Sequence, residues 1–338
     1  MKSTFFTAIL YFLASLSTQA QNNLIQLKSE NNADGSVTVY ATSYASGTYT
    51  LKVDFNITGF NTIINNPYIT SIQQGRSQIC KFVPDKTTGY KYLSFKYNYF
   101  PGTTSRKAPT NYPYYVLPIM PGKSSMAIPV SHFKALFQQP TEQHYAQGFT
   151  YALGDTICAA RAGVVYNVND QLKQGEGKTV AYSDNRNRIF IQHKDGTVAH
   201  YTILAPMLSL VENGDFVIPG QPIAVFNKPA EKFHVLFSVY YLDNNKLMEE
   251  QPTDVYQSLP IQFYLNNNAL STTLNIGQRY QTENSLEIIT KELNKKDGNA
   301  KVLVGDDFDD EGIIDATILI LNQSKIFATP VKGIYLTQ

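Results

Sequence analysis

Tryptophan is absent from the 338 residues, cysteine occurs twice and histidine only five times. Two cysteines, Cys80 and Cys158, are too few for a disulfide-stapled scaffold or a cysteine-rich zinc module. In an oxidising compartment they can pair and tie one part of the chain to another, or they can stay as buried free thiols; the sequence leaves both open. An excess charge of one sign is also missing: 28 Lys and Arg stand against 27 Asp and Glu, a net charge of +1. That removes the electrostatic case for nucleic acid or an anionic lipid surface as a partner. No apolar run after the N-terminus reaches the roughly 18 residues a membrane-spanning helix needs, so no integral membrane segment is expected in the mature chain. There is no phosphate-cradling glycine loop, no Gly-x-Ser-x-Gly elbow and no cysteine pair at metal spacing. A biotinyl or lipoyl carrier is excluded as well, because no Met-Lys occurs beyond Met1-Lys2.

What is present is β-rich. The 23 tyrosines and 19 phenylalanines, with few Leu/Ala-rich stretches, favour strands over helices. The chain opens like a secretory signal over residues 1–20: Lys2 is basic, Phe5 to Leu16 is apolar apart from Thr7 and Ser15, and Thr18-Gln19-Ala20 offers small residues for cleavage. A secreted or periplasmic location is therefore expected, without a lipid anchor, since no cysteine stands at the cleavage point. In residues 21–125, Thr48 to Phe55 alternates, with Tyr49, Leu51, Val53 and Phe55 on one face and Thr50, Lys52 and Asp54 on the other. Lys91 to Phe100 alternates again, and Ser36 to Thr42 follows the turn signal Asp34-Gly35. This pattern predicts an immunoglobulin-like β-sandwich. Pro109, Pro113, Pro118 and Pro121-Gly122 mark a linker. Strands resume over 126–262, where Asp195-Gly196 reads as a two-residue hairpin turn. The segment 263–338 holds one predicted short helix, Asn284 to Lys296, and two apolar runs, Ala316 to Leu321 and Ile326 to Tyr335.

Three stretches carry the chemistry. The first runs from Tyr145-Ala146-Gln147-Gly148-Phe149 through Gly154-Asp155 to Ala160-Arg161-Ala162-Gly163-Val164. The second is His193-Lys194-Asp195-Gly196-Thr197-Val198-Ala199-His200-Tyr201, and the third is Gly214-Asp215-Phe216-Val217 followed by Pro219-Gly220-Gln221-Pro222-Ile223. Each alone is weak, but their order and spacing over about residues 115–245 resemble the lysostaphin/LytM zinc endopeptidases, the duplicated hybrid motif metallopeptidases. The resemblance implies an antiparallel β domain with a zinc site that cleaves peptidoglycan cross-links.

The positions that would run this chemistry are mostly changed. Zinc hydrolysis needs three protein ligands and an open position for water. The resemblance puts the ligands at His144, at Gly148 and at Leu236, so one of the three remains. The catalytic histidines it implies fall on His234, which stands, and on Ile203. Strand parity sets His200 on the face opposite Tyr201 and Ile203, so His200 does not simply replace the missing histidine. A rearranged site would have to recruit Asp155 or His132. His132, His193 and His200 otherwise read as surface or structural residues. Leu236 and Ile203 read as aliphatic filling of a remnant groove bordered by His144, Tyr201 and His234, which avoids leaving polar atoms unpaired.

Asp307-x-Asp309-x-Glu311-Gly312-Ile313-x-Asp315 has the alternating carboxylates of a calcium loop, but Ile318 stands where an EF-hand needs its bidentate glutamate. A solvated acidic turn is the simpler reading. The sequence thus predicts a mainly β, LytM-like pseudoenzyme that needs no cofactor and binds a peptide, cell-wall fragment or protein. The alternative is a zinc endopeptidase with a non-standard metal site.

Overall fold

The computed structural model describes residues 24–105, 114–130, 145–171, 187–249, 255–265, 269–271, 274–282, 300–304, 314–322 and 325–334. The signal-like segment, His132, His144, the predicted helix and the residues Asp307, Asp309 and Glu311 lie outside these residues. The single described helix is one turn long, and everything else regular is strand.

The N-terminal part is a sandwich of two three-stranded antiparallel sheets, built from β1 (Ile25–Asn31), β2 (Val37–Ser43), β3 (Tyr49–Thr58), β4 (Tyr68–Ile72), β5 (Gly75–Phe82) and β6 (Tyr92–Pro101). One sheet has the order β1-β2-β5 and the other β4-β3-β6. Its core follows the sequence alternation: Tyr49, Leu51, Val53 and Phe55 are all buried and pack against Ile25, Val39 and Phe82. A constant-type immunoglobulin sandwich has seven strands; the described strands here number three on each sheet.

From the sandwich the chain passes through β7 (Thr104–Ser105), β8 (Tyr114–Val116) and β9 (Ser124–Ile128) into β10 (Ala146–Thr150), β11 (Thr156–Cys158), β12 (Gly163–Asn169), β13 (Asn187–Gln192) and β14 (Val198–Ile203). Then follow β15 (Leu208–Ser209), β16 (Phe216–Val217), β17 (Pro222–Val225), β18 (His234–Asp243), α1 (Asn244–Leu247), β19 (Tyr256–Ser258), β20 (Gln262–Leu265), β21 (Ala269–Ser271) and β22 (Arg279–Gln281). The main sheet runs β16-β12-β13-β14-β18-β10-β9-β22. β9 spans the boundary expected at residue 125 and pairs with β10 and β22. Small sheets β11-β17-β15 and β21-β20-β8 stand beside the main one. Phe149, Ile157, Ile189, Ile191, Tyr201, Ile223, Phe237 and Phe263 fill the core, each large aliphatic or aromatic side chain contributing about 1.5–3 kcal/mol by leaving water. The two C-terminal apolar runs form β24 (Ile314–Asn322) and β25 (Lys325–Ile334), which pair with β23 (Ala300–Val304) in a separate sheet.

Two sequence expectations change here. The Asp195-Gly196 hairpin is not a two-residue turn. His193 N–H donates to Thr197 C=O at 2.8 Å and Gly196 N–H donates to His193 C=O at 3.0 Å, with Gly196 at φ +84°. That is a three-residue loop with glycine in the left-handed position, needed because β13 and β14 end their ladder at Gln192 and Val198. The second change concerns Thr50 and Lys52, read as the polar outer face of β3. Both are buried, at 0% and 4% exposure. The main-sheet part of the chain covers that face: Lys52 Nζ donates to Glu249 C=O at 2.6 Å. Nearby, the Gln192 side chain accepts from Thr48 N–H at 2.6 Å and donates to Thr48 C=O at 2.8 Å. Ile69 and Phe100 of the sandwich pack on Leu242, Leu247 and Val255.

Candidate functional site

The site is built on β18 and its two neighbours. β10 pairs with β18 so that Gly148 stands opposite Leu236 and Thr150 opposite His234. On its far side β10 sets Gly148 opposite Ile128 of β9. On the other flank of β18, Thr202 of β14 stands opposite Leu236. Residues directly opposite in an antiparallel pair share a face. Ile128, Gly148, Leu236 and Thr202 therefore form one cross-strand row. Gly148 and Leu236, the two positions where the resemblance implies ligands and the sequence offers none, are adjacent in that row. Leu236 is 3% exposed and packs with Ile128, Met126, Val130, Ala146 and Leu204. His234 lies two residues along β18 on the same face and is half-buried.

The neighbouring row, Ala127, Phe149, Val235 and Ile203, belongs to the opposite face and to the main core. This corrects the sequence picture in three places. Ile203 does not fill the groove; it is fully buried against the core, and Leu204 is the residue that packs beside Leu236. Tyr201 does not border a groove either. It is 0% exposed, and its hydroxyl accepts a hydrogen bond from Ala160 N–H at 2.7 Å. Burial pushes its phenol far above the ordinary range. Strand parity did separate His200 from Tyr201, but it is His200 that shares the face of Leu236, opposite Ser238. His200 is engaged there: its ring stacks on Phe190 with centroids 3.8 Å apart, meets Tyr240 at 4.6 Å, and lies 3.4 Å from the Tyr166 hydroxyl.

The other candidates have structural partners. Asp155 closes a turn, its carboxylate accepting from Ala152 N–H at 2.7 Å. His193 is buried; its Nδ1 is 2.8 Å from Ala162 C=O and its Nε2 has no hydrogen-bond partner. Burial, reinforced by the nearby Arg161 charge, lowers its pKa to about 3, so the ring is neutral. Asp315 falls at a register shift of β24, inside a hairpin strand.

One pairing was not anticipated from the sequence. Arg161 is 5% exposed and donates to Asp195 Oδ2 at 2.8 Å, while Asp195 Oδ1 accepts from the Thr197 hydroxyl at 2.6 Å. The motif spacing singled out both residues but gave no sign that they meet. They join the start of β12 to the β13–β14 loop. Gly163, two residues after Arg161, is required by close approach: a Cβ there would meet the Gln192 carbonyl oxygen at 2.5 Å.

A zinc ion does not fit the described residues. Gly148 offers no donor, Leu236 offers a hydrocarbon, and no group of three His, Cys, Asp or Glu side chains capable of holding a metal occurs among the described residues. A cleft of about 490 Å³ lies elsewhere, between the sandwich and the β13–β14 loop, lined in part by Thr48, Gln73, Gln74, His193 and Lys194.

The sheet, its hairpin and the row on β18 form an antiparallel β domain. Residues 142–250 match the model for peptidase family M23. No curated protein matches the chain. Two crystal structures of Helicobacter pylori Csd3 do. The hexagonal form is 13% identical at a TM-score of 0.26, covering 66% of this chain and 50% of that one. The orthorhombic form is 12% identical at a TM-score of 0.26, covering 67% and 76%. A zinc containing peptidase from Vibrio cholerae is 13% identical at a TM-score of 0.22, covering 64% and 75%. The chain thus spans half the length of the first of these.

Proposed function

We propose that the M23-type domain of this chain is a non-hydrolysing binding module, acting outside the cytoplasm on a peptide, a cell-wall fragment or a protein partner. The observation that carries this reading is the row Ile128–Gly148–Leu236, in which both lost ligand positions sit side by side under an aliphatic cluster. Restoring one ligand there would bury an imidazole or a carboxylate among hydrocarbon, which costs several kcal/mol unless a metal or a hydrogen bond compensates. The domain keeps its turns and its Arg161–Asp195 pair, so the fold persists without the donor set. The export-type N-terminus, Lys2 to Ala20, supports the extracytoplasmic location.

The test is a metal analysis of the purified full chain together with incubation on purified peptidoglycan. Zinc well below one equivalent, no released peptide, and binding to the same material is the expected result. Zinc near one equivalent with chelator-sensitive peptide release overturns the proposal in favour of an endopeptidase with unusual ligands.

A further inference from the structure

Among the described residues the N-terminal sandwich is open along one edge, and the register shows which groups face the opening. β6 pairs with β3 without a break from Tyr49↔Pro101 to Thr58↔Tyr92. Just beyond that ladder Gly102 N–H donates to Thr48 C=O at 2.9 Å. In an antiparallel ladder hydrogen-bonded pairs alternate with non-bonded ones. Counting back from Gly102, the residues Phe100, Asn98, Lys96, Ser94 and Tyr92 turn their backbone groups towards β3. Leu93, Phe95, Tyr97 and Tyr99 turn theirs outward. Among the described residues β6 has β3 as its one partner strand.

The same four residues point their side chains into the sandwich core, where they are only partly buried. Their counterparts on β3, Tyr49, Leu51, Val53 and Phe55, are 0–6% exposed. The core is therefore thinly covered along β6. The Tyr97 hydroxyl donates to Ile25 C=O at 3.1 Å, which places β1, itself a sheet edge, across from β6. A cavity of about 470 Å³ is lined by Tyr97, Asn98, Tyr99 and Phe100. Because inward and outward side chains both line it, the cavity lies along the strand edge. In an immunoglobulin-type sandwich the sixth strand is flanked on both sides, by the third and by a seventh. Here the chain leaves after Pro101, and its next short strand, β7, pairs with β18 instead.

We propose that this edge of β6 takes an extended segment of another polypeptide as an additional antiparallel strand, with apolar side chains closing the core and a carboxylate beside Lys96. Strand addition of this kind draws affinity from main-chain hydrogen bonds and specificity from alternate side chains. The charge argument selects a foreign segment over a second copy of this chain. A two-fold pairing that uses all four outward residues has its axis at Lys96, so it sets two exposed lysines directly opposite each other. Like charges there are destabilising, whereas an acidic residue of a partner strand is favoured. On the other flank, Asp54 of β3 already stands opposite Lys96, so the pattern of alternating charge across the sheet continues.

Residue-resolved amide exchange on the full chain tests this, with a short blocked peptide of alternating valine and threonine carrying one central aspartate as the probe. In the free protein the amides of Leu93, Phe95, Tyr97 and Tyr99 exchange at least about tenfold faster than those of Ser94, Lys96 and Asn98. Adding the peptide slows those four and leaves the others unchanged. A matched peptide with lysine in place of aspartate binds more weakly, and Lys96→Glu, at an exposed position, reverses that preference. Slow exchange at all seven amides in the free monomer would mean that the chain covers its own edge, and would overturn the proposal. So would slow exchange in a dimer that sediments as such, or failure of the peptide to protect the four amides at millimolar concentration.

Discussion

At the scale of single residues, Leu236 defines the state of the candidate site. It is packed as a core residue on the face where a ligand was implied. Leu236→Ala is expected to cost about 2–4 kcal/mol in urea unfolding, the range for truncating a buried leucine. Leu236→His in metal-free buffer should destabilise the chain by a similar amount, because the imidazole has no partner there. A Leu236→His variant as stable as the parent without metal would show that the aliphatic cluster is not a packed element. His193 gives a pH signature. Its folded pKa is depressed by burial to about 3 from an ordinary 6.5. Above pH 6.5 folded and unfolded chains both hold it neutral. Below that value the unfolded chain gains a proton that the folded chain refuses, so stability falls as pH drops from about 6.5 towards 3, by up to about 1.4 kcal/mol per pH unit. Urea midpoints measured from pH 7 to pH 5 should show this slope, and His193→Gln should flatten it. At this scale, too, the thiols are separate. Cys80 and Cys158 are unpaired, one in each part of the chain, and burial pushes the Cys80 thiol up to about 12.

At the scale of elements, the β13–β14 loop holds three things at once. It positions Asp195 for Arg161, carries His193, and sets Gly196 against Thr103 of the segment leaving the sandwich. Arg161→Ala should cost about 2–4 kcal/mol, at or just below the range for breaking a buried ion pair, because Asp195 is about one-third exposed. The loss should appear in thermal unfolding and should be larger than that of Arg76→Ala, whose partner Glu30 is 53% exposed and whose pair is worth at most about 1 kcal/mol. Equal effects would mean that the Arg161 pair does not tie β12 to the loop. Gly196→Ala should be strongly destabilising, since φ is +84° and a Cβ would strike the Thr103 side chain.

At the scale of the whole molecule, the sandwich and the main sheet are joined by side-chain-to-backbone hydrogen bonds and by the apolar contact of Ile69 and Phe100 with Leu242, Leu247 and Val255. Gln192 grips the backbone of Thr48 across 144 positions of chain. Gln192→Ala is expected to leave Thr48 N–H without its partner, while Thr48 C=O keeps the hydrogen bond from Gly102 N–H, and to cost about 1–3 kcal/mol. Limited proteolysis should then cut more readily near Thr48 and Thr103, and an unchanged cleavage pattern would show that the apolar contact of Phe100 and Ile69 with Leu242 suffices. Metal analysis also belongs at this scale, because a zinc site could be completed only by residues brought together from distant strands.

Much of this architecture was legible from the sequence. Alternation located β3 and β6, the turn signals located the hairpins, and the three spaced motifs located the M23-type stretch. That Gly148 and Leu236 carry no metal donor was legible too, because glycine and leucine offer none whatever the fold. Other features depended on pairing register, which a one-residue shift inverts. Register put Tyr201 and Ile203 in the core and His200 on the face of Leu236, and it made Gly148 and Leu236 neighbours. Burial of Lys52 and Thr50 was invisible because it comes from a second layer of chain laid over an ordinary amphipathic strand. The sequence by itself determined which side chains can bind a metal and which strands can form. Only the tertiary structure decided what faces what, because direction across a sheet is set by partners far away in the chain.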